Sequence, residues 1–260
     1  MHPLIARFLD VEKVIEVLRQ SPDDDDARAL VSAIEHDGGL KQQLLAHSRK
    51  TVPHETQQRL LVASLKAATE RVLADAELGK EANKALEEAV AAGASREDAR
   101  GVIQQAIFEE GFGWPEAPDV FDVPFLRETL ATVPALAKLD ADAVESLVDR
   151  FVKAGEPTAR AMRLAVADSV LEVAWNEGAQ PIAAEHIDDA MDLLAKSVAS
   201  RELPLAAQTV ATFLGFLESH QLVGPLRRER LIDVAKNAAL APETDEEIPD
   251  DEEAEDDDEP

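Results

Sequence analysis

GEPTARAMRLAVADSVLEVAWNEGAQPIAAEHIDDAM, residues 155–191, is the stretch in which helix starts, faces and stops are spelled out most fully. Gly155 ends one helix. Pro157 takes the first position of the next, where its missing N–H costs nothing and its fixed φ suits the turn. Met162, Ala165, Val166, Ser169, Val170 and Val173 then fall on one face at helical spacing. Gly178 stops that helix, and Ile182 leads into another with Ile187, Ala190, Met191 and Leu194 along one side. Upstream, Asp140 stands where a helix cap belongs, before the apolar face Val144, Leu147, Val148, Phe151 and Val152. Residues 139–198 therefore predict three consecutive helices that bury one shared core.

The same pattern extends in both directions. Helices are expected over about Pro3–Arg19, Asp25–Glu35, Leu40–Ser48, Pro53–Leu78, Lys80–Ala92 and Ser95–Glu110. The acids Asp23–Asp26 suit the positive end of the second of these, and Asp37-Gly38-Gly39 stops it. Ser95 with Glu97 and Asp98 reads as a capped helix start, and Leu61, Leu65, Ala68 and Val72 mark one side of the long helix. Further on, a short helix from Pro124 to Thr132 is stopped by Pro134. Helices then follow near Ala141–Ala154, Pro157–Trp175, Ala183–Ala199, Leu205–His220 and Leu226–Leu240. No alternating strand run bounded by turns occurs, and no fixed-period repeat relates the two halves. The expected fold is all-α, a bundle of about ten to twelve helices in one or two packed subdomains. One subdomain would span residues 1–110 and the other 125–240, with 139–198 as its core.

Between them, residues 111–124 break the helical pattern with Gly111, Gly113, Pro115, Pro118 and Pro124 around Phe112, Trp114, Val120 and Phe121. This segment is either an interdomain linker or a loop docked by its aromatics. Trp114, between Gly113 and Pro115, either plugs a gap in the core or, with Phe112, anchors a partner protein.

The punctuation of residues 139–198 resembles two known helical units. One is the helical lid of AAA+ ATPases, with a Gly, an Arg, a long helix, a Gly turn and an Ile entering a short helix. The other is the histone-type unit of short, long and short helices. The lid resemblance sets Arg160 near a nucleotide-sensing Arg, but the chain has no G-x-x-x-x-G-K-[ST] to cradle phosphates, so it is not expected to hydrolyse nucleotide by itself. The histone resemblance implies a nucleoprotein setting, yet the central helix is short for that unit and the surface is acidic. A second stretch, ALEEAVAAGASREDARGVIQQAIFEEGFG at residues 85–113, looks like the helix-turn-helix of carboxymuconolactone decarboxylase-like proteins, without the Cys pair of the peroxidase type.

Charge narrows the function. The chain holds 53 acidic and 26 basic residues, a net charge of −27. Thirteen of the acids lie in residues 241–260, with no Lys or Arg and three Pro. Such a segment cannot bury enough apolar surface to offset its ordering, so a disordered acidic tail is expected. Within it Asp250, Asp251, Glu252, Glu253, Asp256, Asp257 and Asp258 would act as one block on basic surfaces, or merely keep the protein soluble. Without the tail, 40 acids against 26 bases still leave −14, so generic binding to DNA phosphates is disfavoured. A salt-accumulating source would also acidify the surface, in keeping with 10 Lys against 16 Arg, but would not concentrate acids at one end.

Chemistry is scarce. The absence of Cys excludes disulfides, thiolate metal sites and thiol catalysis. The six His are scattered with no H-E-x-x-H, and no Gly-x-Ser-x-Gly elbow occurs. No catalytic residue, cofactor or metal site is assigned. Arg160 and Arg163 are candidates to hold an acidic or phosphate group, or to pair with neighbouring carboxylates. Charged residues throughout Met1–Gln20 leave no signal peptide, and no apolar run is long enough to span a bilayer, so a cytoplasmic location is expected. The leading expectation is a non-enzymatic helical adaptor or regulator that binds a protein partner, for which a basic protein is one candidate. The alternative is a nucleic-acid-related role, as a polyanion mimic, a chaperone of a DNA-binding protein or a histone-like component of a nucleoprotein assembly.

Overall fold

In the computed structural model, residues 11–20, 24–46, 52–112, 123–176 and 178–240 are described, with backbone alone for 110–112. Among them the chain is all-α, with twelve α-helices and no strand. In order these are α1 (Val11–Arg19), α2 (Asp25–His36), α3 (Leu40–Ala46), α4 (His54–Ala74), α5 (Leu78–Ala91) and α6 (Arg96–Phe112). After them come α7 (Val123–Leu136), α8 (Ala141–Lys153), α9 (Arg160–Ala174), α10 (Ala184–Ser197), α11 (Leu203–Ser219) and α12 (Pro225–Ala238). Short 3₁₀ turns, Pro157–Ala159 and Ser200–Glu202, lead into α9 and α11. Trp114 and the acidic residues Asp250, Asp251, Glu252, Glu253, Asp256, Asp257 and Asp258 lie outside the described residues.

The caps explain several boundaries. Asp24 accepts a hydrogen bond from the Ala27 amide at 2.8 Å, Ser95 from Asp98 at 3.0 Å and Asp140 from Ala143 at 2.8 Å, each satisfying an amide that the first turn leaves open. Two expectations need correction. Pro134 does not stop its helix, since α7 runs through it to Leu136. It removes one N–H from the last turn, but Ala137 still bonds the Val133 carbonyl at 3.0 Å and Val133 and Leu136 are fully buried. Phe112 is not in a loop; it is the last residue of α6.

α4 is the spine of the N-terminal part, packing on α2, α3, α5 and α6. Its innermost face is built from Leu60, Ala63, Ser64, Ala67, Ala68 and Val72, while Leu61 and Leu65 are half-buried. Small side chains let the neighbouring helices approach closely, so the inner face is shifted from the one its leucines suggest. α7 covers α5 and α6, and its far side meets α12. In the C-terminal part α9 is central, flanked by α8, α10 and α11, and α12 lies across α10 and α11. One apolar cluster runs through all of these helices. An aromatic knot lies within it: the Phe151 ring is 4.7 Å from Phe213 and 5.4 Å from Phe216.

α7 and α12 are joined by a polar node. The amides of Leu226 and Arg227 donate to the Glu128 carboxylate at 2.9 and 3.0 Å. Glu128 thus caps α12 from a helix almost a hundred residues upstream, in place of a side chain at its own N-cap, Gly224. Gly224 is required by this contact, because a Cβ there would overlap the Glu128 side chain. The Arg227 side chain, 2 % exposed, donates to the Ile182 carbonyl at 2.9 Å and to Thr129 Oγ1 at 3.0 Å.

Candidate functional site

α8, α9 and the turn after α9 enclose a groove of about 740 Å³ on the molecular surface. Its floor is apolar. Val144 and Val148 of α8 face Leu164 and Leu171 of α9, and Trp175 closes one end. These residues recur at helical spacing, which places them along the seam between the two helices. Leu164 remains 45 % exposed. Trp175 is 7 % exposed and held in place, since its indole N–H donates to the Gln180 carbonyl at 2.8 Å. Gln180 in turn donates to the Ala174 carbonyl at 2.8 Å, so the closing turn is tied on both sides. Beyond Trp175 the groove adjoins a crevice of about 330 Å³ against α6; Leu139, Gly178 and Ala179 line both.

The rim has one sign of charge. Asp140, Glu145 and Asp149 stand along α8 and Asp168 and Glu172 along α9, and no Lys or Arg lines the groove. Asp149 has an exposed partner in Lys153 at 2.5 Å, and Asp140 is engaged as the cap of α8. Glu145, Asp168 and Glu172 have no ion pair among the described residues. The contrast with the N-terminal helices is clear: there Arg71 meets Asp26, Arg100 meets Glu70, Arg96 meets Glu87, and Arg127 bridges Glu77 and Glu81. Partial burial, and then the charge of Glu172 one turn away, hold the Asp168 carboxyl above its ordinary value of 3.8. An incoming cation would relieve that repulsion.

Of the residues singled out from sequence, Arg160 is exposed on the first turn of α9 with no ion pair among the described residues. Arg163 is used inside the fold. Its guanidinium stacks on the Phe151 ring at 3.9 Å, and its side chain fills the space that Gly155 leaves open. The groove carboxylates were not legible as a site, because any pair one turn apart is expected by chance among 53 acids. Among the described residues no group of His, Asp and Glu is arranged to hold a metal ion, and no helix is long and apolar enough to cross a membrane. The three helices of residues 139–198 have near-equal lengths of 13, 15 and 14 residues, unlike the short-long-short pattern of the histone-type unit. In comparisons with protein families, curated proteins and solved structures, nothing matches this chain.

Proposed function

We propose that this protein is a non-enzymatic helical adaptor or regulator that binds a basic protein partner. The observation that carries the reading is the α8–α9 groove, an apolar floor inside an all-acidic rim in which Glu145, Asp168 and Glu172 have no ion pair among the described residues. Apolar floors supply affinity by losing water, and unpaired charge of one sign selects the partner and speeds encounter. The net charge of −27 extends the same preference over the whole chain. The thirteen acids of residues 241–260 add further negative charge to attract basic surfaces.

The test is capture of partners from lysate of the source cells, at low and high salt, with the full chain and with a chain ending at Leu240. A basic protein that is released by salt supports the reading. Retention of proteins without basic character, or of none, sinks it. Adding duplex DNA to the same capture separates the nucleic-acid-related role: a partner that leaves the protein for DNA is one whose nucleic-acid surface this chain covers.

A further inference from the structure

We infer that the α8–α9 groove receives a single amphipathic α-helix of the partner, apolar along one face and bearing Lys or Arg on both flanks. This rests on the reading that the protein binds a basic partner, and it specifies the partner's shape and seat. The groove is a seam between two consecutive helices. α8, with 13 residues, is about 20 Å long at 1.5 Å per residue, the length of three to four turns of a guest helix. Such a guest would lay its apolar stripe over Val148 and Leu164 and end against Trp175. Its flanking cations would meet Glu145 on one side and Asp168 and Glu172 on the other.

Charge decides the occupant. Residues 241–260, with thirteen acids and no Lys or Arg, would add repulsion rather than relieve it. A second copy of a chain with net charge −27 approaches an acidic groove against the same repulsion. The comparable groove between α2 and α4, about 750 Å³, presents His36 and Lys66 beside Asp37 and Glu70 and so offers no preference of sign.

Trp175 supplies the readout. It is one of two Trp in the chain, so Trp114→Phe isolates its emission. The probe is a Leu/Lys peptide of about 14 residues, roughly four helical turns, with leucines at helical spacing. A scrambled peptide of the same composition and a Leu/Glu counterpart are the controls. The patterned peptide is expected to shift Trp175 emission and to bind about tenfold or more tightly than the scrambled one, while the Leu/Glu peptide does not bind. Asp168→Asn with Glu172→Gln is expected to weaken binding about tenfold, and the uncharged change Leu164→Ser about threefold or more. Removing two charges elsewhere, by Asp192→Asn with Glu229→Gln, should leave affinity within about twofold. Leu164 is 45 % exposed, and Asp168 and Glu172 have no ion pair among the described residues, so these variants keep the fold, as circular dichroism would verify. Equal binding of patterned and scrambled peptides overturns the inference. So does wild-type affinity in both groove variants, or a dimer that forms as the protein is concentrated, followed by light scattering, and that blocks the peptide. Each of these leaves the salt-released basic partner standing; losing that partner in the lysate capture overturns the underlying reading instead.

Discussion

Arg227 enters the interior with its guanidinium bonded to the Ile182 carbonyl and Thr129, while its backbone N–H is held by Glu128. A buried charge is tolerated only with such partners. Replacing Glu128 by Ala strips the α12 N-terminus of its acceptor and should cost about 1–3 kcal/mol in urea unfolding. Gly224→Ala should cost a similar amount by displacing Glu128, and less when Glu128 is already Ala. Fully additive losses would show that the two do not share one contact. His186 makes a second test. Its Nδ1 accepts from the Ala183 amide at 3.1 Å and closes the first turn of α10. Burial is the main cause that lowers its pKa from 6.5; nearby Arg227 acts in the same direction, and Glu185 and Asp189 oppose it. The unfolded chain therefore takes up this proton at a higher pH than the folded one. The stability that neutral His186 contributes is complete above 6.5 and is lost as pH falls below it through the folded value. His186→Gln, which keeps an acceptor but does not titrate, should flatten unfolding free energy against pH in that window. A profile as steep as wild type would show that His186 is not its source.

Among the elements, α8 is held largely by one side chain, Phe151. Phe151 is fully buried against Phe213 and Phe216 and carries the Arg163 stack, so Phe151→Ala should cost about 3–5 kcal/mol. Asp140→Ala, which removes one exposed cap, should cost only about 1 kcal/mol. A reversed order in denaturant titration would contradict this account of how α8 is held. The same contrast shows what a sequence can convey. The caps at Ser95 and Asp140 act within three residues of themselves, so the sequence alone shows them, whereas Asp24 reads only as one of a run of acids at a helix start. Pro134 misled because its local penalty is outweighed by the burial of Val133 and Leu136 against other helices. Glu128 gave no signal as a cap, because its partner is distant in sequence. For the groove, Val144 and Val148 read as ordinary core positions, and Leu164 and Leu171 lie outside the apolar face read for their helix. Only tertiary packing leaves Val144, Val148 and Leu164 partly exposed between the acids of the two helices.

At the scale of the whole molecule, repulsion among like charges opposes folding. Outside residues 241–260 there remain 40 acids against 26 bases. Raising NaCl from low concentration to about 0.5 M shortens the reach of that repulsion, so Tm should rise, followed by circular dichroism. A falling Tm would instead assign net stability to the Arg–carboxylate pairs of the N-terminal helices. The Glu128 cap carries one more consequence, for the order in which the molecule is made. A ribosome delivers Glu128 long before Leu226 and Arg227 exist, so for that interval the carboxylate faces a site without its donors. Arrival of α12 supplies the two amides and the Arg227 side chain together. α12 therefore works as a keystone, and a nascent chain that stalls before Pro225 is an arch without one.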